Sequence, residues 1–139
     1  MNLTGCLNED ISFHDKKRNK SYELASDHLS YPIKRFPGLA LPTTFMFYNS
    51  NPLPLHLYDF AVHLFEHYKN PKALTFYVPK LENEEEAAYI KFMIETAEKM
   101  VQEKHSEYKL GTVRVIIVLE NPRAVFRVNE MMDELYPYF

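Results

Sequence analysis

Glycine is scarce in this chain, with three in 139 residues. No G-x-x-x-x-G-K or G-x-G-x-x-G string occurs, so a glycine-rich phosphate loop is excluded. Cysteine is rarer still. Cys6 stands alone, which rules out a disulfide within the chain and suits a reducing compartment. In its polar surroundings Cys6 is no candidate for a nucleophile. Charge of one sign is also lacking. The net charge is -3 with Lys and Arg dispersed, whereas a nucleic-acid binder would show a basic stripe. No run approaches the roughly 18 apolar residues of a membrane span. The opening MNLTGCLNEDISFHD is polar and acidic, without the apolar core of a secretory signal. The Asn2-Leu3-Thr4 sequon has no meaning without secretion, and Tyr138-Phe139 is no peroxisomal address. The cytoplasm is the expected location, with no nucleic-acid or membrane partner; the oligomeric state is not legible.

What is present is a core. Hydrophobic residues make up 46% of the chain, so it is no disordered tail. Residues 1–29 are polar and predict an irregular entry segment, with 30–139 as the folded domain. Tyr31 to Phe36 makes a short strand despite Pro32. Pro37, Pro42, Pro52 and Pro54 then predict a long loop over 37–54. From Leu55 to Tyr68, Leu57, Ala61, Leu64, Phe65 and Tyr68 recur on one helical face. Pro71 ends that helix. The run Ala73 to Val78 predicts a strand covered on both faces. Asn83 can cap a second helix, with Glu84, Glu85 and Glu86 in a first turn whose dipole favours negative charge. Tyr89, Ile90, Met93, Ala97, Met100 and Val101 form its apolar face. Gly111 turns into Val113–Leu119, the strongest strand signal. Asn121 and Pro122 open a last helix, with Val125, Val128, Met132 and Leu135 as its stripe.

The order β-α-β-α-β-α implies an α/β fold with parallel strands and right-handed crossovers. Doubly wound sheets and (βα)₈ barrels both begin this way. A complete barrel needs about 250 residues, so a barrel reading makes this a partial one of about three βα units.

Sites in such folds gather at the carboxyl ends of strands. Arg35, Lys80 and Glu120 stand there. Glu120 leaves an apolar strand, where a carboxylate is costly unless it meets a cation or donors. It could serve a metal, bond the amides that open the next helix, or pair with Arg123. Arg35 could fork onto a carboxylate or steady an oxyanion, or be a solvated loop arginine beside Lys34. Lys80 could simply pair with Glu82 or Glu120. His63 and His67, with Glu66 between, spell H-x-x-E-H, a spacing some zinc sites use. Five residues match readily by chance, and both histidines fall opposite the apolar stripe, which predicts a wet helix face.

Several strings carry a resemblance. Gly111–Glu120 followed by Asn121–Glu130 resembles the malate synthase segment GTI-x-x-x-x-LIETLPAAF-x-MDEIL. Phe76–Glu82 is similar to that family's YLPK-x-E strand end, Leu57–Ala61 to its LFDFAL helix, and Asn19–Leu24 to its GK-x-Y-x-L lead-in. Arg35–Leu41 falls where the family has R-x-R-G-(W/L)-H-L. The similarity covers most of residues 19 to 135. It implies a Mg²⁺-dependent acyltransferase that joins acetyl-CoA to glyoxylate and hydrolyses the thioester to malate and CoA. On this resemblance Glu120 matches the first Mg²⁺ carboxylate and Arg35 the catalytic arginine. Pro37 replaces the family's second Arg, Ala40 its His, and Asn121 its Thr. The second Mg²⁺ carboxylate and the general-base aspartate are expected beyond Phe139, so the chain reads as a piece, inactive alone. A related CoA-ester lyase or aldolase, which shares the P-K-x-E strand end, and a catalytically inactive barrel fragment are the alternatives.

Overall fold

The structure, a computed structural model, describes residues 5, 7, 11–24 and 31–139. Cys6 and the Asn2-Leu3-Thr4 sequon lie outside the described residues. The chain divides into two units, 1–32 and 33–139.

The first unit holds a hairpin where the polar composition predicts irregular chain. Strands β1 (Ser12–Asp15) and β2 (Lys20–Glu23) pair antiparallel, with Asp15 opposite Lys20. The charged run between them is the turn. Asp15 Oδ1 accepts the N–H groups of Lys17 at 2.9 Å and Arg18 at 3.3 Å, as short acidic side chains do in turns. Asn19 takes a left-handed φ of 48°, which asparagine tolerates well.

In the second unit the elements follow as β3 (Lys34–Arg35), β4 (Pro42–Tyr48), β5 (Asn51–Pro54), α1 (Leu55–His67), β6 (Thr75–Val78), α2 (Glu84–Lys104), β7 (Arg114–Ile117), α3 (Pro122–Phe126) and α4 (Val128–Leu135). Strands β3, β6 and β7 form one parallel sheet in that order. Three βα units side by side are the partial (βα)₈ barrel that the alternation of strands and helices predicts, with the sheet left open.

The helices share a single core with one face of this sheet. Phe36, Phe60 and Phe76 pack ring to ring at centroid distances of 5.0–5.3 Å. Leu64, Val78, Ile90, Ile94, Val115, Met131 and Leu135 complete the cluster. Side chains alternate across a strand, so the register Arg35–Tyr77–Ile116 lines the opposite, helix-free face. That face would be the inside of a closed barrel.

Local chemistry accounts for the boundaries. Asn83 Oδ1 accepts the Glu86 N–H at 2.9 Å, while Glu86 Oε2 accepts the Glu82 N–H at 2.8 Å. Both satisfy donors that a helix start leaves open. Asn121 Oδ1 caps α3 through the Ala124 N–H at 2.8 Å.

Four expectations need correction. Residues 42–54 are a hairpin, not a loop. Its turn residues Asn49 and Ser50 both have positive φ, 48° and 64°, the geometry that lets a two-residue turn follow strand twist. The prolines are tolerated because each strand of this two-stranded hairpin keeps an unpaired edge. On α2, Tyr89 and Met100 are exposed, while Ala87, Ile94 and Glu98 are buried. The last helix breaks at Arg127, which resets the helical phase. Ala124, Met131 and Leu135 are therefore buried, and Val125 and Met132 are exposed. Finally, His63 is buried rather than wet. Its Nε2–H donates to the Ala73 carbonyl at 2.8 Å, and its ring meets Phe76 edge-on. A neutral imidazole with a carbonyl partner can join an apolar face, so the stripe of α1 runs through His56, Phe60, His63 and Leu64.

The start of β7 rests on an acid. Glu98 is fully buried on α2. Its Oε1 accepts the Tyr108 hydroxyl at 2.6 Å and the N–H groups of Thr112 and Val113 at 3.1 Å. Its Oε2 accepts the Gly111 N–H at 2.7 Å and the Tyr138 hydroxyl at 3.2 Å. Five donors replace the water that burial removes from the carboxylate.

Candidate active site

Because β3, β6 and β7 run parallel, their carboxyl ends lie along one edge of the sheet, and the charged residues that follow them are brought to that edge. Lys34 and Arg35 project to opposite faces. Lys34 turns toward α1, where its Nζ lies 2.9 and 2.8 Å from the two carboxylate oxygens of Asp59. Arg35 turns to the helix-free face, its guanidinium 5.4 Å from the centre of the Tyr77 ring. Stacking on an aromatic face holds a guanidinium in place while leaving its N–H groups free to bind an anion. The next amide, of Phe36, donates to Tyr77 O at 2.8 Å and keeps the two strand ends in step.

At the end of β6 the backbone turns through Lys80 in the left-handed region, with φ of 61°. A residue with a Cβ holds that conformation at some cost, and such positions cluster at functional sites. The turn aims the Lys80 N–H at Glu120 Oε1, 2.7 Å away. Glu120 stands three residues beyond the end of β7 and is exposed. Thus the Glu120 carboxylate bonds neither the amides of the next helix, which Asn121 caps, nor Arg123, which lies 4.0 Å from Glu82. It binds the backbone amide of Lys80, not the ammonium. Asn121 adds a second tie between these strand ends, its Nδ2–H donating to Leu81 O at 3.5 Å.

The histidine pair is not part of this edge. The rings of His63 and His67 are 4.5 Å apart, but His63 is committed to Ala73 O. Among the described residues no group of three His, Cys, Asp or Glu side chains could hold a metal ion. Magnesium takes six oxygen ligands in an octahedron and keeps several waters. Glu120 is a suitable donor for it, but a single carboxylate is not a Mg²⁺ site. The residues present do not by themselves fit the ion. The contribution of the Lys80 amide has no signature in the side-chain sequence.

A parallel sheet of βα units with a guanidinium and a carboxylate at its carboxyl edge defines a protein of the α/β class. Residues 33–137 match the family model for the malate synthase TIM barrel domain. The chain is 33% identical to glyoxysomal malate synthase of Ricinus communis, 32% to that of Cucumis sativus and 31% to malate synthase of Arabidopsis thaliana, in each case over 97% of its own length. The chain therefore belongs to the malate synthase family. It spans about a quarter, 24%, of the length of these relatives.

Proposed function

We propose that this chain contributes an arginine and a carboxylate to the site of a malate synthase-type acyltransferase, which condenses acetyl-CoA with glyoxylate and releases malate and CoA. The observation that carries this reading is the edge itself. Arg35 is stacked on the helix-free face, and Glu120 is oriented by the Lys80 amide, at the carboxyl ends of β3 and β7, the two strands that flank β6 in one parallel sheet. A guanidinium stays protonated beside an enolate oxygen and stabilises the charge that develops there. Glu120, with one oxygen engaged by an amide, offers one hard donor to Mg²⁺. On this reading the remaining ligands, and the base that removes the acetyl proton, come from the part of the relatives that the chain does not match.

The test is release of CoA thiol from acetyl-CoA and glyoxylate, run with the chain alone and with the chain joined to the part of the Ricinus communis relative that it does not match. Turnover is expected only in the second case. Arg35→Ala should lower kcat, and Glu120→Gln should raise the Mg²⁺ concentration required. Activity indifferent to both substitutions would refute the assignment. Cleavage of malyl-type CoA thioesters without condensation would identify a CoA-ester lyase instead.

A further inference from the structure

Arg35 is the last residue of the short strand β3, and Pro37 and Gly38 follow it in a loop. A long side chain at such a strand end keeps many rotamers unless something orders it. Its neighbour Lys34 is tied to Asp59 on the opposite face. That tie sets the side to which Arg35 projects, but not where the guanidinium rests. Among the described residues no carboxylate lies within ion-pair reach of Arg35. The contact that places it comes from the next strand. Arg35 stands in register with Tyr77 on β6, and its guanidinium lies 5.4 Å from the centre of the Tyr77 ring. The Phe36 N–H on the Tyr77 carbonyl, at 2.8 Å, locks that register at the strand end. Tyr77 is in turn in register with Ile116 of β7, so it has a neighbour on either side of the same face. A carboxylate in its place would neutralise the guanidinium. A ring face attracts the cation and leaves its N–H groups for an anion.

We propose that Tyr77 is a positioning residue for the reaction: its ring, not its hydroxyl, holds the Arg35 guanidinium where an enolate oxygen can meet it. The inference rests on the catalytic reading of Arg35. Tyr77 itself transfers no proton and touches no reacting atom; it acts through the arginine. The guanidinium is asked to stabilise charge that develops only in the transition state. Loss of its placement therefore lowers kcat and leaves KM little changed. Phenylalanine at position 77 presents the same face. Isoleucine suits a strand equally well but has no face to offer.

The experiment reads structure in the 139-residue chain and turnover in the chain joined to the unmatched part of the Ricinus communis relative. In the chain, proton NMR should show the δ-methylene and ε protons of Arg35 shifted upfield by the Tyr77 ring. Tyr77→Phe should keep that shift and Tyr77→Ile abolish it, with circular dichroism unchanged in both. In the joined protein Tyr77→Ile should lower kcat about three- to thirtyfold, the span expected for a cation held on an aromatic face. KM should stay nearly constant, and Tyr77→Phe should restore kcat. Added to Arg35→Ala, Tyr77→Ile should cost nothing further, because the two act through one contact. Three results would overturn the proposal: an Arg35 shift indifferent to Tyr77→Ile, equal kcat in the isoleucine and phenylalanine variants, or full additivity with Arg35→Ala. A kcat unchanged by Arg35→Ala is a different failure, since it removes the catalytic reading and this inference with it.

Discussion

Replacing Glu98 by glutamine changes three atoms and sets five hydrogen bonds at risk. The substitution keeps one carbonyl oxygen for Tyr108, Thr112 and Val113. It turns the other oxygen into an NH₂ group that faces two donors, the Gly111 N–H and the Tyr138 hydroxyl. Neither can donate to it, and both are left without their acceptor. A buried donor deprived of its partner costs about 1–3 kcal/mol. With some relief from a flipped hydroxyl, the loss should come to roughly 2–4 kcal/mol. Domains of this size hold only about 5–15 kcal/mol in all, so Glu98→Gln should leave the protein folded but marginal. Glu98→Ala, which strips all five donors, should approach unfolding at 25 °C. Tyr138→Phe removes only the longest of the five bonds and should cost about 1 kcal/mol. Urea denaturation followed by circular dichroism measures the series. The expected order of stability is wild type, Tyr138→Phe, Glu98→Gln, Glu98→Ala. A Glu98→Gln midpoint matching wild type would refute the argument that the carboxylate holds the start of β7, and with it the anchoring of Tyr138.

Acid should destabilise the fold through two imidazoles. Burial holds the pKa of His56 and His63 below the usual 6.5. The unfolded chain therefore takes up protons first on acidification. Stability present above pH 6.5 is lost as pH falls below it, and melting curves from pH 7.5 to 5 should show the decline, reduced in His63→Gln. Removing the cap of α2 by Asn83→Ala should cost about 1 kcal/mol, and a urea midpoint unchanged from wild type would exclude a role for that bond in stability.

Much of the fold was legible in the residues themselves. The pattern of apolar positions marks α1, α2, β6 and β7, because burial leaves an imprint on a chain. Asn83 and Asn121 announce helix starts, because a short polar side chain is what an open amide there requires. Proline density over 37–54 misleads, since a two-stranded hairpin leaves outer edges on which missing amides are harmless. His63 misleads too, because an imidazole counts as polar until a carbonyl such as that of Ala73 is brought within reach. Arg35 and Glu120 were legible as candidates from their place after strands.

The sequence by itself determined the alternation of strands and helices, hence a parallel sheet with its polar ends along one edge. Those features are local, written in periodicity and caps. Only the tertiary structure decided that Arg35 lies over Tyr77 on the helix-free face, that Lys80 turns left-handed to place its amide on Glu120, and that Glu98 is a buried anchor gathering Tyr108, Gly111 and Tyr138. Each depends on partners 10 to 42 positions away or on a backbone angle. Contacts over such distances are set by how the elements pack, and packing leaves no periodic trace in the chain.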